Sequence, residues 1–153
     1  METFMPNDFY QVSLKAILKN VEGSVLVLKA DFEGPLSGYY DLPGGRIDES
    51  EFDIPLLDIL KREIREEIRI DNVAVHEVPV AVGRHRIPKD IADTEKDLHL
   101  LYLFFEGELS DGDIRISDEH TGFEWVHITP ENVGTYFTSG LLEGMRTYMV
   151  SKE

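Results

Sequence analysis

The chain contains no cysteine, which excludes disulfides, thiolate zinc sites and a thiol nucleophile. It is also short of positive charge: 15 Lys and Arg face 30 Asp and Glu, a formal net charge of −15 over 153 residues. So acidic a chain is repelled by polynucleotide backbones and anionic membranes, so neither a nucleic-acid polymer nor a membrane is an expected partner. A phosphorylated ligand has to be small and to arrive with a cation. Long hydrophobic runs are missing too. The most apolar stretch, LHLLYLFF at Leu98–Phe105, is interrupted by His99 and falls far short of a membrane span. The first residues, METFMPNDFY, lack the basic-then-apolar order of a signal peptide. A cytoplasmic location is therefore the expectation. Repeats, low-complexity tracts and inter-domain linkers are absent as well, and the length suits one domain over 1–153.

What is present has an ordinary globular balance, 42% hydrophobic and 29% charged, so a packed core is expected. YQVSLKAILKN and SVLVLKA flank the turn VEGS and read as a hairpin. Asp31–Asp41, with Gly34, Pro35 and Gly38, reads as a loop. Val73–Arg86 reads as a strand in which Pro79 marks an edge or a bulge. Ile87–Asp97 reads as a polar loop, and LHLLYLFFEGEL as a long strand buried on both faces. DIRIS and GFEWVHI read as two short strands, and the tail as a short helix and a longer one, with Thr129 as N-cap ahead of Pro130. About six strands, an internal helix and a terminal helix imply a layered α/β domain.

The internal helix, Ile54–Ile70, divides into three arcs at about 100° per residue. Leu56, Leu57, Leu60, Ile64 and Ile68 form the core stripe, Arg62, Arg65 and Arg69 a second arc, and Glu63, Glu66 and Glu67 a third. Neighbouring like charges at these spacings cost roughly 0.2–0.5 kcal/mol per pair in an isolated helix. A solvated acidic face, offset by Arg62 four residues from Glu66, is the ordinary explanation. The alternative is a divalent cation: hard oxygen donors converging beside the buried edge suit Mg2+ or Mn2+ and cancel the repulsion. Just upstream, LPGG supplies a sharp turn whose glycine carbonyl is free to complete an oxygen shell. Pro55 marks the helix start, with Asp53 as the candidate cap.

Taken together, LPGGRIDESEFDIPLLDILKREIREEIRI resembles the signature box of the Nudix hydrolases. That box runs Gly, five residues, Glu, seven residues, Arg-Glu-aliphatic-x-Glu-Glu-x-Gly-aliphatic. Gly45 and Glu51 have the first spacing, and REIREEIRI supplies Arg62, Glu63, Ile64, Glu66, Glu67 and Ile70 in order. Two positions depart from the pattern: ten residues separate Glu51 from Arg62, and Arg69 replaces the last glycine. The insertion puts the Glu51–Arg62 contact in question, while the register of the three glutamates is untouched.

The resemblance implies an α/β/α sandwich with a mixed sheet, the box helix and a C-terminal helix. It implies hydrolysis of a diphosphate linked to another moiety, usually a nucleoside, with Mg2+ or Mn2+. Carried over by position, Glu63, Glu66 and Glu67 bind metal together with a carbonyl of Gly44 or Gly45. Glu63 or Glu66 orients or deprotonates the water, Arg62 organises the site, and Glu51 is its structural partner. Glu119, just before the strand of Trp125, is the candidate for a further metal ligand, with Asp118 and His120 as weaker alternatives. Arg84 and Arg86, flanking His85, are candidate phosphate contacts, and Trp125 is a candidate base-stacking residue. Asp111–Glu119 is rejected as an EF-hand loop because Arg115 and a misplaced glycine break the ligand order. The expected substrate is a nucleoside triphosphate, giving monophosphate and pyrophosphate. ADP-ribose or a nucleotide sugar, a nucleotide-sensing module without turnover, and an acidic interaction domain are the competing readings. A homodimer is compatible with the family and the size.

Overall fold

Strand β1 (Tyr10–Lys19) explains why its sequence mixes alternation with continuous burial. Leu14, Ala16 and Leu18 point to one face, Ser13, Lys15 and Ile17 to the other, and all are buried. A strand buried on both faces belongs in the middle of a sheet. In the computed structural model, which describes residues 4–29, 37–110 and 112–152, β1 pairs in parallel with β7 (Leu98–Glu108) from Tyr10 opposite His99 to Lys19 opposite Glu108. On its other side it pairs antiparallel with β2 (Val25–Lys29) and β4 (Gly44–Arg46). Strands β3 (Tyr40–Asp41) and β8 (Gly122–Val126) add to β2, and β5 (Ala74–Val75) and β6 (Ala81–Ile87) add to β7, all antiparallel. Among the described residues the result is a mixed sheet of eight strands.

Helices cover both faces. Helix α1 (Leu56–Ile68) seats Ile59, Leu60, Ile64 and Ile68 against Leu14, Leu18, Leu26, Leu28 and Phe105. On the opposite face α3 (Val133–Tyr136) and α4 (Ser139–Ser151) bury Val133, Met145 and Tyr148 against Ile17, Val27, Leu42 and Phe104. This is the expected three-layered α/β/α arrangement. Helix α4 lies close enough to the sheet that a Cβ on Gly144 would overlap the Phe104 ring. No helix among the described residues is long and apolar enough to cross a membrane.

Several local expectations change, each for a physical reason. Val73–Arg86 splits into β5 and β6, because residues 76–80 oppose only Phe105 and Glu106 on β7. His76 N–H and Val80 N–H still reach Glu106 O and Phe104 O, both at 2.8 Å, so Pro79, with no N–H to offer, sits in the bulge. DIRIS is not a strand. Its Ile114 and Ile116 pack on the α1-side core, which produces the alternation. The intervening Arg115 N–H and the following Ser117 N–H donate to Ile68 O and Glu67 O, at 3.1 and 3.0 Å. Those carbonyls end α1, so the segment is consumed in capping a helix. The polar loop contains a short helix, α2 (Lys89–Ala92). Pro55 rather than Asp53 is the N-cap of α1. Thr129 Oγ1 accepts from Asn132 N–H at 3.1 Å within the turn around Pro130, and Asn132 is the N-cap of α3. Of the loop Asp31–Asp41, Tyr40 and Asp41 form β3, and residues 31–36 lie outside the described residues.

Candidate functional site

Pairing of β4 with β1 puts Gly44 opposite Lys15 and Gly45 opposite Leu14, at the edge of α1. Gly44 has φ +143°, and a Cβ there would collide with the Leu14 carbonyl. A Cβ on Gly45 would come within 2.5 Å of Glu63 Oε2. Only two successive glycines let the turn lie this close to the carboxylates. The approach is fixed by a hydrogen bond, Gly44 N–H donating to Glu67 Oε1 at 2.8 Å.

The three box glutamates occupy different environments. Glu67 is 3% exposed, and desolvation pushes its pKa up to about 7 against the pull of Gly44 N–H, Lys15 and His120. Glu63 lines the cleft and is raised by desolvation, with Arg62 opposing and Glu66 and Glu119 adding to the rise. Glu66 faces outward, and both of its oxygens accept from Arg62 Nη1, at 3.1 and 3.2 Å. The cleft beside them measures about 510 Å3 and is lined by Lys15, Arg46, Tyr102 and Glu119 among others. A larger groove of about 740 Å3 passes Phe52 and Ile54, but Glu63, Glu67 and Glu119 do not line it.

Arg62 joins three carboxylates, Glu51, Glu63 and Glu66. Its Nη2 donates to Glu51 Oε2 at 2.6 Å and to Glu63 Oε1 at 3.3 Å. Burial pulls the guanidinium pKa down, but Glu51, Glu66 and Glu63 outweigh it and leave it raised. The inserted residues do not break the contact. Glu51 closes a single 3₁₀ turn, Glu49–Glu51, and its Oε1 accepts from Asp48 N–H at 2.9 Å. The extra length projects outward from there, with Phe52 at 89% exposed.

Behind Glu67 runs a buried polar chain that spacing did not reveal. Lys15 Nζ donates to Asp41 Oδ1 at 2.9 Å, and Leu42 N–H donates to the same oxygen at 2.7 Å. Desolvation raises the Asp41 pKa, but Lys15 and the hydrogen bonds prevail and hold it at about 2. His120 lies between Asp41 and Glu67, Nε2 at 3.8 Å from Asp41 Oδ2 and Nδ1 at 3.5 Å from Glu67 Oε2. Among the described residues, Glu67, Glu119 and His120 each offer a ligand atom within 4.8 Å of the others. Lys15 left one trace in the sequence: a lone cation inside an otherwise apolar strand, which needs a buried partner.

The remaining candidates are dispersed. Arg84 and Arg86 line a separate depression with Asp8, Tyr10 and Glu143, and Arg84 Nη1 donates to the Tyr10 hydroxyl at 3.4 Å. The cleft-lining members of β6 are His85 and Ile87; His85 Nδ1 pairs with Ser139 Oγ at 2.7 Å, and its ring stacks on Tyr102. Trp125 is half-buried and packs against the α1-side core rather than in the cleft.

Comparison with known proteins identifies a family and a shared fold. The family model described as the NUDIX domain matches residues 9–132. The nucleoside triphosphatase NudI of Escherichia fergusonii is 30% identical over 117 residues, 75% of this chain and 79% of that protein. Among solved structures, the E. coli dihydroneopterin triphosphate pyrophosphohydrolase superposes with a TM-score of 0.68 at 15% identity, over 94% of this chain and 99% of that one. The MutT protein of Methanosarcina mazei Go1 superposes with a TM-score of 0.62 at 23% identity, over 94% of this chain and 96% of that one. With a family match across most of its length and a relative 30% identical over three quarters of it, the chain belongs to the Nudix hydrolases, pyrophosphohydrolases of nucleoside diphosphate derivatives.

Proposed function

We propose that the protein hydrolyses a nucleoside triphosphate to the monophosphate and pyrophosphate, using Mg2+ or Mn2+ held by Glu63, Glu67 and Glu119 with a carbonyl of Gly44 or Gly45. The observation that carries this reading is Glu67: a carboxylate buried under the glycine turn, beside Glu119 and His120, in a protein of net charge −15. A carboxylate as buried as Glu67 stays ionised only with a compensating cation. Two of these donors fit one: Glu67 and Glu119 offer oxygens within 4.8 Å of each other, close to the roughly 4.2 Å between opposite positions around an ion with bonds of ~2.1 Å. When bound, the ion supplies charge neutralisation for the phosphates and acidifies water.

The chain's own groups have separable tasks. Glu63, at the cleft wall with a raised pKa, accepts the proton of the attacking water, and Glu66 is the second candidate for that role. Arg62 fixes Glu63 and Glu66 relative to Glu51 and so positions them without touching substrate. Lys15, inside the cleft, and Arg46 at its rim offer positive charge to the phosphates. The triphosphate preference is supported by the modest cleft and by the activity in the name of the E. fergusonii relative.

A panel of nucleoside triphosphates, ADP-ribose and nucleotide sugars, incubated with Mg2+ or Mn2+ and analysed for products, tests the proposal. Monophosphate plus pyrophosphate from a triphosphate is the expected result. Preferential cleavage of ADP-ribose or a nucleotide sugar would replace the substrate assignment, and tight binding without release would make the protein a sensor. Glu63→Gln and Glu67→Gln should each lower kcat by about 100-fold or more with the fold retained.

A further inference from the structure

His120 is the group that the carboxylate site leaves unexplained. Its side chain is only 6% exposed, and its Nδ1 is buried with no hydrogen-bond partner among the described residues. A buried ring nitrogen left unpaired is a cost that a fold retains only where something else uses it. The loop around it is firmly set: Ser117 N–H donates to Glu67 O, and His120 N–H donates to Ser117 O. The opposite edge of the ring faces a second carboxylate. Nε2 faces Asp41 Oδ2 at 3.8 Å, and Asp41 is held as a carboxylate by Lys15 and the Leu42 N–H. Carboxylates thus face both edges of the ring, Asp41 across Nε2 at 3.8 Å and Glu67 across Nδ1 at 3.5 Å, and with the proton on Nε2 the Nδ1 lone pair is directed towards Glu67. Lys15–Asp41–His120 thus has the order of an outer shell behind a metal-bound imidazole.

We propose that His120 Nδ1 is a direct metal ligand, completing a mixed nitrogen–oxygen site with Glu67 and Glu119 that favours Mn2+ and other transition ions over Mg2+. The inference deepens the metal-dependent reading above and rests on it. Mg2+ takes oxygen donors and water, whereas an imidazole ligand adds affinity for transition ions without adding negative charge. The competing explanation is structural: a protonated His120 that pins its loop by pairing with Glu67.

Pulsed electron paramagnetic resonance on the full chain, stripped of metal and loaded with Mn2+ alone, separates the two. Direct ligation predicts a nitrogen coupling in the wild type that persists in His85→Gln, a change at the histidine that lines the cleft, and vanishes in His120→Gln. Titration should show the Kd for Mn2+ rising by about tenfold or more in His120→Gln, while the Kd for Mg2+ changes by less than about twofold. A wild-type Mn2+ site without nitrogen coupling overturns the proposal and leaves the carboxylate site standing; this measurement does not depend on how the variant folds. Coupling that survives in His120→Gln, with folding confirmed by circular dichroism, also overturns it. A wild-type protein that binds no Mn2+ overturns both this inference and the metal-dependent function.

Discussion

Arg69 ends α1 in the left-handed conformation, φ +60° and ψ +36°, with its N–H bonded to Arg65 O. The box has glycine at this point, and the observed backbone shows why: a Cβ there costs roughly 1–2 kcal/mol. The Arg69 side chain is exposed, so Arg69→Gly should raise stability by about 1 kcal/mol in urea denaturation. Glu67 yields a second prediction. Desolvation pushes its carboxyl up to about 7 in the folded chain, from an ordinary value of 4.5. The folded state binds this proton more tightly than the unfolded state. The stability it contributes is therefore complete below about pH 4.5 and lost as pH rises through 7, by roughly 3 kcal/mol at most. In metal-free protein, Glu67→Gln should melt higher than wild type at pH 8, and the two melting temperatures should converge near pH 4. At this scale the box glutamates were legible because helical spacing places them. Lys15 and Asp41 were not, and His120 stood only as a weaker alternative to Glu119, because strands and a loop far apart in the chain bring them together.

Among the elements, the link between the 3₁₀ turn and α1 is the contact that the insertion had put in question. Glu51 is buried and receives both Asp48 N–H and Arg62 Nη2. Glu51→Ala should cost about 1–3 kcal/mol in chemical denaturation, and it should lower kcat because Arg62 no longer holds Glu63 and Glu66 in place. On the other face, Gly144→Ala should cost about 1–3 kcal/mol by forcing α4 away from Phe104. Long periodic elements were readable: the hairpin, the box helix, the long central strand and the terminal helix all form. DIRIS misled because alternating isoleucines only require one side of a segment to meet the core. Whether its intervening N–H groups meet a neighbouring strand or a helix end is decided by tertiary position.

For the whole molecule, the excess of 30 acids over 15 basic residues makes cations the natural partners of the fold. A divalent ion that binds only the folded state at 100 times its Kd stabilises by about 2.7 kcal/mol. Mn2+ or Mg2+ should therefore raise the melting temperature, a chelator should reverse the gain, and Glu67→Gln should abolish it. A monovalent salt of equal ionic strength should not reproduce the effect, because screening acts on exposed charges and much less on buried ones. The layered class was legible from composition and periodicity, but the order of strands was not. Nothing local in β1 announces that its parallel neighbour is β7, since that pairing reflects which buried surfaces fit once both helices are in place.

That same pairing also governs how the chain can assemble. Tyr10–Lys19 finds its full-length partner roughly ninety residues further on, and contacts this remote close slowly. On a ribosome, the opening hairpin would wait with apolar residues on both faces until Leu98–Glu108 emerges. A nascent chain stalled before that point would keep those faces open to chaperones or to other unfinished chains.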